Sequence, residues 1–479
     1  MNRLKITLKQ HTPLIHFQHD QDGATLRASE VKPKLDRFIL NKLGNGTYKR
    51  GAEEARKRNW LVGINPNDNI EEGKQYALNY KMQINAINQK RDFLKDNNRN
   101  GIINPVYFGN MGRNVEPKHY SSSSSIDLTL KSLCIDFSKM ITEKEICTFF
   151  LQSNFGTRKT KGLGSFYPTN FNNSPVTVPP GDCLFKCPLT IELESEEDKD
   201  VFLVIDYFWK WLKSGVNFNK YPYKDSILKL FISDKTGNVW EKPKIKEYFL
   251  NTGAHITNAF FYRAFLGLND SFTYKWVPKR KQRPSEVYPL CDLSISVKCK
   301  DPNINRNPSP IIFSPYKTEK GKTIIYVQID DSLLNKLKNK EFELSAKLKL
   351  KEIELITTYK KDDESLKTQI LFFDRKFKTK EPLIEFANDV ISKAKSELKR
   401  ILNKKEKEQQ EDSIEKAEDF VSLLSTSKNY PIRFSKHSIF TPNKAISISA
   451  LLSYAKGQIK DNKFDVKRDD GTIINVKIL

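Results

Sequence analysis

The sequence predicts an α+β fold in which short strands alternate with amphipathic helices. Strands are indicated where apolar and polar residues alternate, as at residues 4–8 and 293–297. Helices are indicated where apolar residues recur every three or four positions, as at 31–43, a pattern that Gly44 would end. A chain of 479 residues is long enough for about two to four domains.

The first part of the chain contains a strand pattern at 4–8 and helix patterns at 31–43 and 142–151. Thr142 is expected to cap the shorter helix, because Glu143 and Glu145 would lie in its first turn. Residues 45–125 are polar and read as an irregular insertion, apart from a strand-like alternation at 76–87. The serine run within it, at 121–125, is interpreted as a flexible loop.

The second part of the chain adds strand patterns at 189–193, 293–297, 311–313 and 324–329, and an apolar helix at 201–212. Pro382 opens a further helical pattern that continues to about residue 424. The final segment, 464–479, is interpreted as a hairpin turning at Asp470 and Gly471. We therefore expect domains at 1–180 and 181–375, followed at 376–479 by a helical extension and the terminal hairpin.

The densest chemical signal is a glycine loop at residues 154–166. It combines three glycines with three cations: Gly156, Gly162, Gly164, Arg158, Lys159 and Lys161. Glycine permits a positive φ and a close approach of the backbone to a ligand, and successive N–H groups in such a loop can form an anion-binding concavity. The spacing matches neither a Walker loop nor a dinucleotide fingerprint. We interpret the loop as a site for a nucleic-acid backbone, the alternative being a solvated basic turn.

The whole chain is strongly basic, with 81 Lys+Arg against 58 Asp+Glu and a formal net charge of +23. Such a charge favours a polyanionic partner, either nucleic acid or an anionic membrane. A membrane is disfavoured because the most apolar run, 201–212, is too short for a spanning helix. The start of the chain lacks the apolar region of a secretory signal, so we expect a cytoplasmic location. Part of the charge is also explained by a lysine-rich composition.

Two further groups of residues are candidates for RNA binding. One group lies near the start of the first long helix, and the other places two aromatic residues before a basic cluster. Aromatic side chains beside cations suit single-stranded nucleic acid, because base stacking is worth about 1–3 kcal/mol per base. A solvated helix face and a charged surface loop are the respective alternatives. The residues are Arg27, Lys32 and Lys34, and then Tyr274, Trp276, Lys279, Arg280 and Lys281.

The cysteines give only a weak indication of a metal site. Cys183 and Cys187 could form a zinc site with Cys291 and Cys299. The spacing of the second pair is long for such a site, so we expect small buried side chains instead. Six cysteines in a chain of this length do not indicate a disulfide framework. We expect no metal and no cofactor.

Three histidines near the N-terminus are candidates for acid–base chemistry or metal binding. His11, His16 and His19 lie close in sequence to Asp20 and Asp22, and imidazole titrates near neutral pH. His11 follows a strand and is expected to be structural. His16 or His19 would then be the candidate base of a ribonuclease.

Three segments together resemble the RAMP proteins of CRISPR effector complexes. Thr12-Pro13-Leu14 resembles the opening of that family, and residues 155–166 resemble its G-x-R-x-R-x-G-x-G-S loop. Arg306-Asn307-Pro308-Ser309-Pro310 and the apolar residues after it resemble the family's R-x-x-S-P-aliphatic segment. This segment follows residues 265–268, and that order is similar to the first-numbered subunit of the type III-B Cmr complex.

The resemblance implies two ferredoxin-like (RRM-like) domains. The insertion at 45–125 and the tail after residue 375 are longer than the family suggests, so we expect these domains to carry insertions and to be followed by a C-terminal helical extension. The resemblance also implies a non-catalytic subunit that binds the 3′ part of the crRNA, the target RNA paired with it, or both, beside other Cmr subunits. It adds Arg306 to the candidate RNA-binding residues and implies no small-molecule substrate. The alternative is a metal-independent endoribonuclease of the same superfamily that processes CRISPR repeats with His16 or His19. In that group the glycine loop lies near the C-terminus, whereas here more than half of the chain follows it.

Overall fold

A computed structural model provides the structure of this chain. It describes residues 2–18, 21, 24–93, 119–134, 136, 141–184, 189–216, 224–236, 240–241, 245, 262–267, 271–276, 290–304, 308–330, 333, 337, 340–351, 432–433, 438–440, 447–468 and 470–479. In parts of several strands only the backbone is described, at 92–93, 271–276, 290–294, 345–351, 432–433 and 438–440.

The described residues form six α-helices and seventeen strands. The helices are α1 Ala28–Leu43, α2 Tyr48–Lys57, α3 Glu143–Gln152, α4 Asp198–Lys213, α5 Ile227–Thr236 and α6 Ile448–Gly457. The strands of the first half are β1 Asn2–Gln10, β2 Lys81–Ile87, β3 Lys90–Phe93, β4 His119–Ser122, β5 Ser125–Ser132, β6 Phe166–Phe171, β7 Ser174–Pro175 and β8 Leu189–Leu193. The strands of the second half are β9 Ser271–Trp276, β10 Leu290–Cys299, β11 Ile311–Lys317, β12 Thr323–Ile329, β13 Phe342–Lys351, β14 Ile432–Arg433, β15 Ser438–Phe440, β16 Lys463–Lys467 and β17 Ile473–Ile478.

The chain divides into two compact units. The first comprises Met1–Gly237, Ser309–Leu333 and Ile446–Leu479, and the second comprises Asn238–Pro308 and Leu334–Ala445. The predicted α+β class is confirmed as a mixture of helices and antiparallel sheets. The predicted domain boundaries at residues 180 and 375 stay a prediction. The helical pattern after Pro382 lies outside the described residues.

The first sheet of the first unit has the strand order β2-β5-β1-β6-β7, with antiparallel neighbours. Its central strand, β1, buries Leu4, Ile6 and Leu8, while Lys5 between them is exposed. The alternation at the N-terminus therefore predicts this strand correctly. Helix α3 begins at a capping box, as predicted: the Thr142 N–H donates to Glu145 Oε2 (2.8 Å), and the Glu145 N–H donates to Thr142 Oγ1 (3.4 Å).

The expected irregular insertion contributes to the core of the first sheet. Helix α2 packs on α1 at Gly51, where a Cβ atom would lie 1.7 Å from the carbonyl oxygen of Leu40. Trp60, Leu78 and Tyr80 are buried, and β2 then pairs with β5. The strand predicted at 76–87 is confirmed from Lys81 onward. Polar composition concealed helix α2, because it has few apolar residues.

The prediction of a flexible loop at the serine run is wrong. Strand β4 ends at Ser122 and β5 begins at Ser125. Ser121 exchanges two backbone hydrogen bonds with Leu14, at 2.9 and 2.8 Å, and the Ser123 N–H donates to Gln10 Oε1 (2.9 Å). The run therefore connects two strands through backbone groups that already have partners.

The second sheet of the first unit has the order β11-β12-β8-β17-β16, again antiparallel. The predicted terminal hairpin is confirmed as β16 and β17, with Gly471 at φ +92° in the turn. Strand β17 also pairs with β8, at Val476 opposite Leu193. The end of the chain is thus part of this sheet, a pairing that the sequence did not indicate.

The strands described in the second compact unit form a sheet with the order β14-β13-β10-β9, in which β15 also pairs with β13. The strand predicted at 293–297 lies within β10. Among the helices that the structure describes, none has the length and apolar character needed to cross a membrane. The predicted cytoplasmic location stays a prediction.

Candidate nucleic-acid interface

The glycine loop connects α3 to β6, and its glycines are required by the backbone path. Gly156, Gly162 and Gly164 have φ values of +75°, +87° and +68°, a region that residues with a Cβ rarely adopt. A Cβ atom on Gly164 would lie 2.1 Å from the carbonyl oxygen of Phe155, and one on Gly156 would lie 2.5 Å from that of Ile15. The loop is therefore closely packed against the neighbouring backbone at Phe155 and Ile15.

Three backbone amides of the glycine loop donate to groups elsewhere in the protein. The Gly156 N–H donates to Glu30 Oε1 (2.8 Å), the Thr157 N–H to the Ile15 carbonyl (2.8 Å) and the Gly164 N–H to the Pro13 carbonyl (2.9 Å). These three amides already have partners within the protein, and the anion-binding concavity expected of the loop stays a prediction. Positive charge at this surface comes from side chains.

The loop also joins the first sheet to the second. Asn154 Nδ2 donates to the Phe313 carbonyl (2.7 Å), and Ser165 Oγ donates to the Pro315 carbonyl (2.8 Å). Lys161 also forms an isolated parallel β-bridge with Phe313 of β11. These contacts hold the loop that carries Arg158, Lys159 and Lys161 to strand β11.

The three cations of the loop have different surroundings. Lys159 is exposed, whereas Arg158 and Lys161 are half-buried. The Nζ atom of Lys161 lies 3.6 Å from the ring centre of Trp209 on α4, and the Nζ atom of Lys213 lies 5.6 Å from the same centre. Burial and the charges of Lys213, Arg158 and Lys210 lower the pKa of Lys161 well below its usual value, against the opposing charge of Asp206.

Trp209 and Lys213 are site residues that the sequence reasoning missed. The 201–212 pattern correctly predicts an apolar helix, but it gives Trp209 no role of its own. The available signal was its flanking by Lys210 and Lys213 on an otherwise apolar helix. Only the tertiary contact places this tryptophan against Lys161.

Lys34 lies beside the glycine loop, whereas Lys32 is engaged elsewhere. Lys34 Nζ pairs with Glu30 Oε1 (2.8 Å) and lies 4.4 Å from the ring centre of Phe155. Lys32 Nζ instead pairs with Asp36 Oδ2 (2.7 Å) and donates to the Leu78 carbonyl (3.0 Å). The Lys32 ammonium therefore links α1 to the segment around Leu78 in the first unit.

Arg27 is part of a small cluster in the segment between β1 and α1. Its guanidinium donates to Gln18 Oε1 and lies 5.8 Å from the ring centre of Phe17, which is 67% exposed. The Phe17 ring in turn lies 4.1 Å from the ring of His16. Arg27 thus presents a cation next to an exposed aromatic side chain.

The histidines differ from what a catalytic base requires. His16 is 1% exposed, and its Nδ1 accepts a hydrogen bond from the Gln18 N–H (3.1 Å). Burial and the neighbouring charge of Arg27 lower its pKa, while Glu30 acts in the opposite direction. His11 is buried against Tyr316, with Nδ1 accepting from the Lys317 N–H (2.9 Å), a structural role as expected. His19 lies outside the described residues.

The remaining candidates are the two aromatic residues before the basic cluster, the cysteines, and residues that the structure does not describe. Tyr274 and Trp276 lie on β9 of the second unit. Cys183 is buried and contacts Tyr167 Oη (3.5 Å) in the core of the first unit. Among the side chains that the structure describes, no three His, Cys, Asp or Glu come together as metal ligands. Lys279, Arg280, Lys281, Arg306 and Cys187 lie outside the described residues.

Comparison with known proteins provides the family. Residues 1–216 match the family model of the Cmr1 N-terminal domain, and residues 223–395 match that of the Cmr1 C-terminal domain. A search of curated proteins found no match. The crystal structure of Cmr1 from Pyrococcus furiosus (apo form) is similar at 12% identity and a TM-score of 0.33, over 69% of this chain and 89% of that one. On the two family matches, which together span most of the sequence, the chain belongs to the Cmr1 family, the RAMP proteins of the type III-B Cmr complex.

Proposed function

We propose that this chain is a non-catalytic RNA-binding subunit of the type III-B effector complex, and that it holds the 3′ part of the crRNA, the target RNA paired with it, or both. The observation that carries the proposal is the glycine loop with Arg158, Lys159 and Lys161, which is hydrogen-bonded to β11 and brings Lys161 to the Trp209 ring near Lys213. Cations on a fixed loop hold the sugar-phosphate backbone without reading its sequence. Specificity then comes from pairing between guide and target.

We further propose that both sheets of the first unit are ferredoxin-like. The first follows the chain order β1-α1-β2-β5-α3-β6, with β5 and β6 on either side of β1. The second follows β8-α4-β11-β12-α6-β17, with β12 and β17 on either side of β8. Both orders correspond to the β-α-β-β-α-β motif. In this proposal the C-terminal hairpin completes the second motif, and the second compact unit is inserted within it.

The burial of His16 supports a binding role over ribonuclease chemistry. A general base has to reach the proton that it removes, at about 2.6–3.2 Å or through one water. His16 is enclosed, and one of its ring nitrogens already accepts a hydrogen bond from the backbone. Association with the other Cmr subunits follows from the family and is part of the proposal.

The test uses purified full-length protein with labelled crRNA, a crRNA–target duplex and a repeat-containing precursor, in EDTA. The variant Arg158→Ala/Lys159→Ala/Lys161→Ala is compared with Lys463→Ala/Lys467→Ala/Lys477→Ala, which removes the same charge from the exposed side of the C-terminal hairpin. Loss of three phosphate contacts is expected to reduce the slope of log affinity against log salt by about two. The hairpin variant should change it less.

Three results would contradict the proposal. Equal effects of the two triple variants would mean that the glycine loop is not the RNA contact. An absence of binding to any RNA by the wild-type protein would remove the function itself. Site-specific cleavage of the precursor, abolished by His16→Ala, would establish the processing enzyme instead.

A further inference from the structure

Phe17 is the one exposed ring among the Phe, Tyr and Trp side chains that the structure describes, and 67% of the residue is accessible to solvent. The chain is held on both sides of it. His16 is buried, and its Nδ1 accepts a hydrogen bond from the Gln18 N–H (3.1 Å), while the Gln18 carbonyl accepts one from the Gln21 N–H (3.1 Å). Single exposed apolar residues are common on protein surfaces, so the neighbours of Phe17 decide what it can bind.

A cation lies beside this ring at the start of helix α1. The guanidinium carbon of Arg27 is 5.8 Å from the ring centre of Phe17, and a hydrogen bond to Gln18 Oε1 holds the guanidinium there. Arg27 is also the N-cap residue of α1, and its side chain makes no capping hydrogen bond. The first N–H groups of a helix and the helix dipole favour an anion at this position. Glu30, the acid in the first turn, forms a salt bridge with Lys34 (2.8 Å).

An exposed ring beside a guanidinium and a helix N-terminus matches the two chemical parts of a nucleotide. The ring offers a surface for a base, and the guanidinium and the helix N-terminus suit a phosphate. We propose that Phe17 and Arg27 form a nucleotide site for single-stranded RNA, in which a base stacks on the Phe17 ring and the adjoining phosphate binds Arg27 at the start of α1. The inference rests on the proposed function and adds to it a base contact at a defined side chain. Stacking requires a base that is free of its own helix, which selects single-stranded over double-stranded RNA.

The first experiment separates the base from the backbone. The affinity of the full-length protein is measured for a ten-residue oligouridylate and for a ribose-phosphate oligomer of the same length without bases. Phe17→Ala is expected to weaken binding of the oligouridylate by about 5- to 100-fold, the range that loss of one stacked base gives. The same variant should bind the base-free oligomer as the wild type does. Leu133→Ala is the matched control, because Leu133 is also apolar and is 81% exposed, and it should change neither affinity.

Arg27→Gln tests the phosphate contact. This variant should weaken binding of both oligomers and reduce the slope of log affinity against log salt by about 0.7, the value for one phosphate of a single strand. Arg58→Gln is the matched control, because Arg58 also lies near an aromatic ring, at 4.8 Å from the ring centre of Trp60, but that tryptophan is only 4% exposed. It should leave the slope nearly unchanged.

The second experiment places a fluorescent ring at the site. Phe17→Trp keeps an aromatic side chain, so it should bind the oligouridylate at least as tightly as the wild type. Stacking of a base should quench the added emission more strongly than the base-free oligomer does. Leu133→Trp puts the same indole at another exposed position and should show no such difference. Thermal melting shows whether each variant is folded, and Phe17→Trp provides a conservative replacement should Phe17→Ala unfold.

The outcomes are separable from those of the proposed function. Unchanged oligouridylate affinity in folded Phe17→Ala, or quenching of Phe17→Trp that does not depend on the base, overturns the nucleotide site. Unchanged affinity together with lost association with the other Cmr subunits would assign the ring to a protein contact. If the glycine-loop triple variant still loses affinity in these cases, the proposed function stands without this site. A loss by Phe17→Ala that is confined to the oligouridylate, with binding retained in Phe17→Trp, supports the inference.

Discussion

At the scale of single residues, Gly164 is where the backbone path leaves least room. Gly164 has a φ of +68°, and an added Cβ atom would lie only 2.1 Å from the Phe155 carbonyl oxygen. Gly46 has a φ of +90° but no atom within 4 Å of such a Cβ. The two positions therefore separate backbone strain from steric overlap.

We expect Gly164→Ala to lower the free energy of unfolding by about 2–4 kcal/mol, because the loop has to shift as well as adopt a strained φ. Gly46→Ala, the control, should cost about 1 kcal/mol from strain alone. Chemical denaturation of both variants measures the difference. Equal costs at the two positions would contradict the close packing of the glycine loop.

Lys161 is a residue whose charge opposes folding. Its pKa is lowered in the folded protein by burial and by Lys213, Arg158 and Lys210, so the unfolded chain binds more protons between that lowered pKa and the usual value of 10.5. In that window the free energy of unfolding increases with pH. The same cation would serve RNA binding, so stability and function conflict at this position.

We expect Lys161→Met to raise the melting temperature of the RNA-free protein near neutral pH and to weaken its RNA binding. Lys159→Met removes an exposed lysine of the same loop and should leave the melting temperature nearly unchanged. Melting curves from pH 7 to 10 should also show a smaller increase in stability for the Lys161 variant. A destabilised Lys161→Met would show that its contact with Trp209 outweighs the cost of burying the charge.

At the scale of elements, the C-terminal hairpin is integral to the second sheet. Strand β17 lies between β8 and β16, and Phe464 stacks on Tyr207 of α4 at 5.6 Å between ring centres. Arg468 adds two hydrogen bonds of 2.7 Å to Asp200, near the start of α4. The last residues of the chain therefore contact elements that begin more than two hundred residues earlier.

We expect a chain truncated after Asn462 to lose cooperative folding. The deletion removes five buried apolar side chains, Phe464, Val466, Ile474, Val476 and Ile478. Each contributes about 1.5–3 kcal/mol, which together approaches the whole stability of a typical domain. Ile474→Ala and Ile473→Ala provide the finer test, because Ile474 is 4% exposed and Ile473 is 56% exposed. Ile474→Ala should lower the melting temperature much more than Ile473→Ala does.

At the scale of the whole molecule, the two sheets of the first unit are joined through polar contacts as well as the glycine loop. His11, which follows β1, accepts a hydrogen bond from the Lys317 N–H at the end of β11. Burial and the charges of Lys9 and Lys317 lower the pKa of His11 from 6.5 to about 3. Protonation of this imidazole would place a charge in the contact between the sheets.

We expect the protein to lose stability as the pH falls from about 6.5 to about 3, because the unfolded chain binds the His11 proton first. One such proton gives a slope of about 1.4 kcal/mol per pH unit. His11→Asn keeps an acceptor for the Lys317 N–H without titrating there, so its slope should be smaller by that amount. Parallel acid-unfolding curves for the two proteins would contradict this assignment.

The periodic parts of the chain could be predicted from the sequence because their signals are local. Alternation identifies β1, and the turn at Asp470 and Gly471 identifies the terminal hairpin. The helical period identifies α1, the capping residue Thr142 identifies α3, and the apolar run at 201–212 identifies α4. Glycine spacing identifies the loop at 154–166 as a special backbone. The motif resemblance also led to the correct family, since a few short segments sufficed to distinguish it.

Only the tertiary structure decided how those parts are used. Within the polar segment 45–125, alternation predicted the strand β2, but helix α2 is fixed by its packing on α1 rather than by a local period. Three loop amides donate hydrogen bonds to Glu30, Ile15 and Pro13, which lie more than a hundred residues earlier in the chain. Trp209 met Lys161 because β11 places α4 beside the glycine loop. Sequence by itself determines which residues are periodic or permissive, and the three-dimensional contacts determine which charges and rings come together.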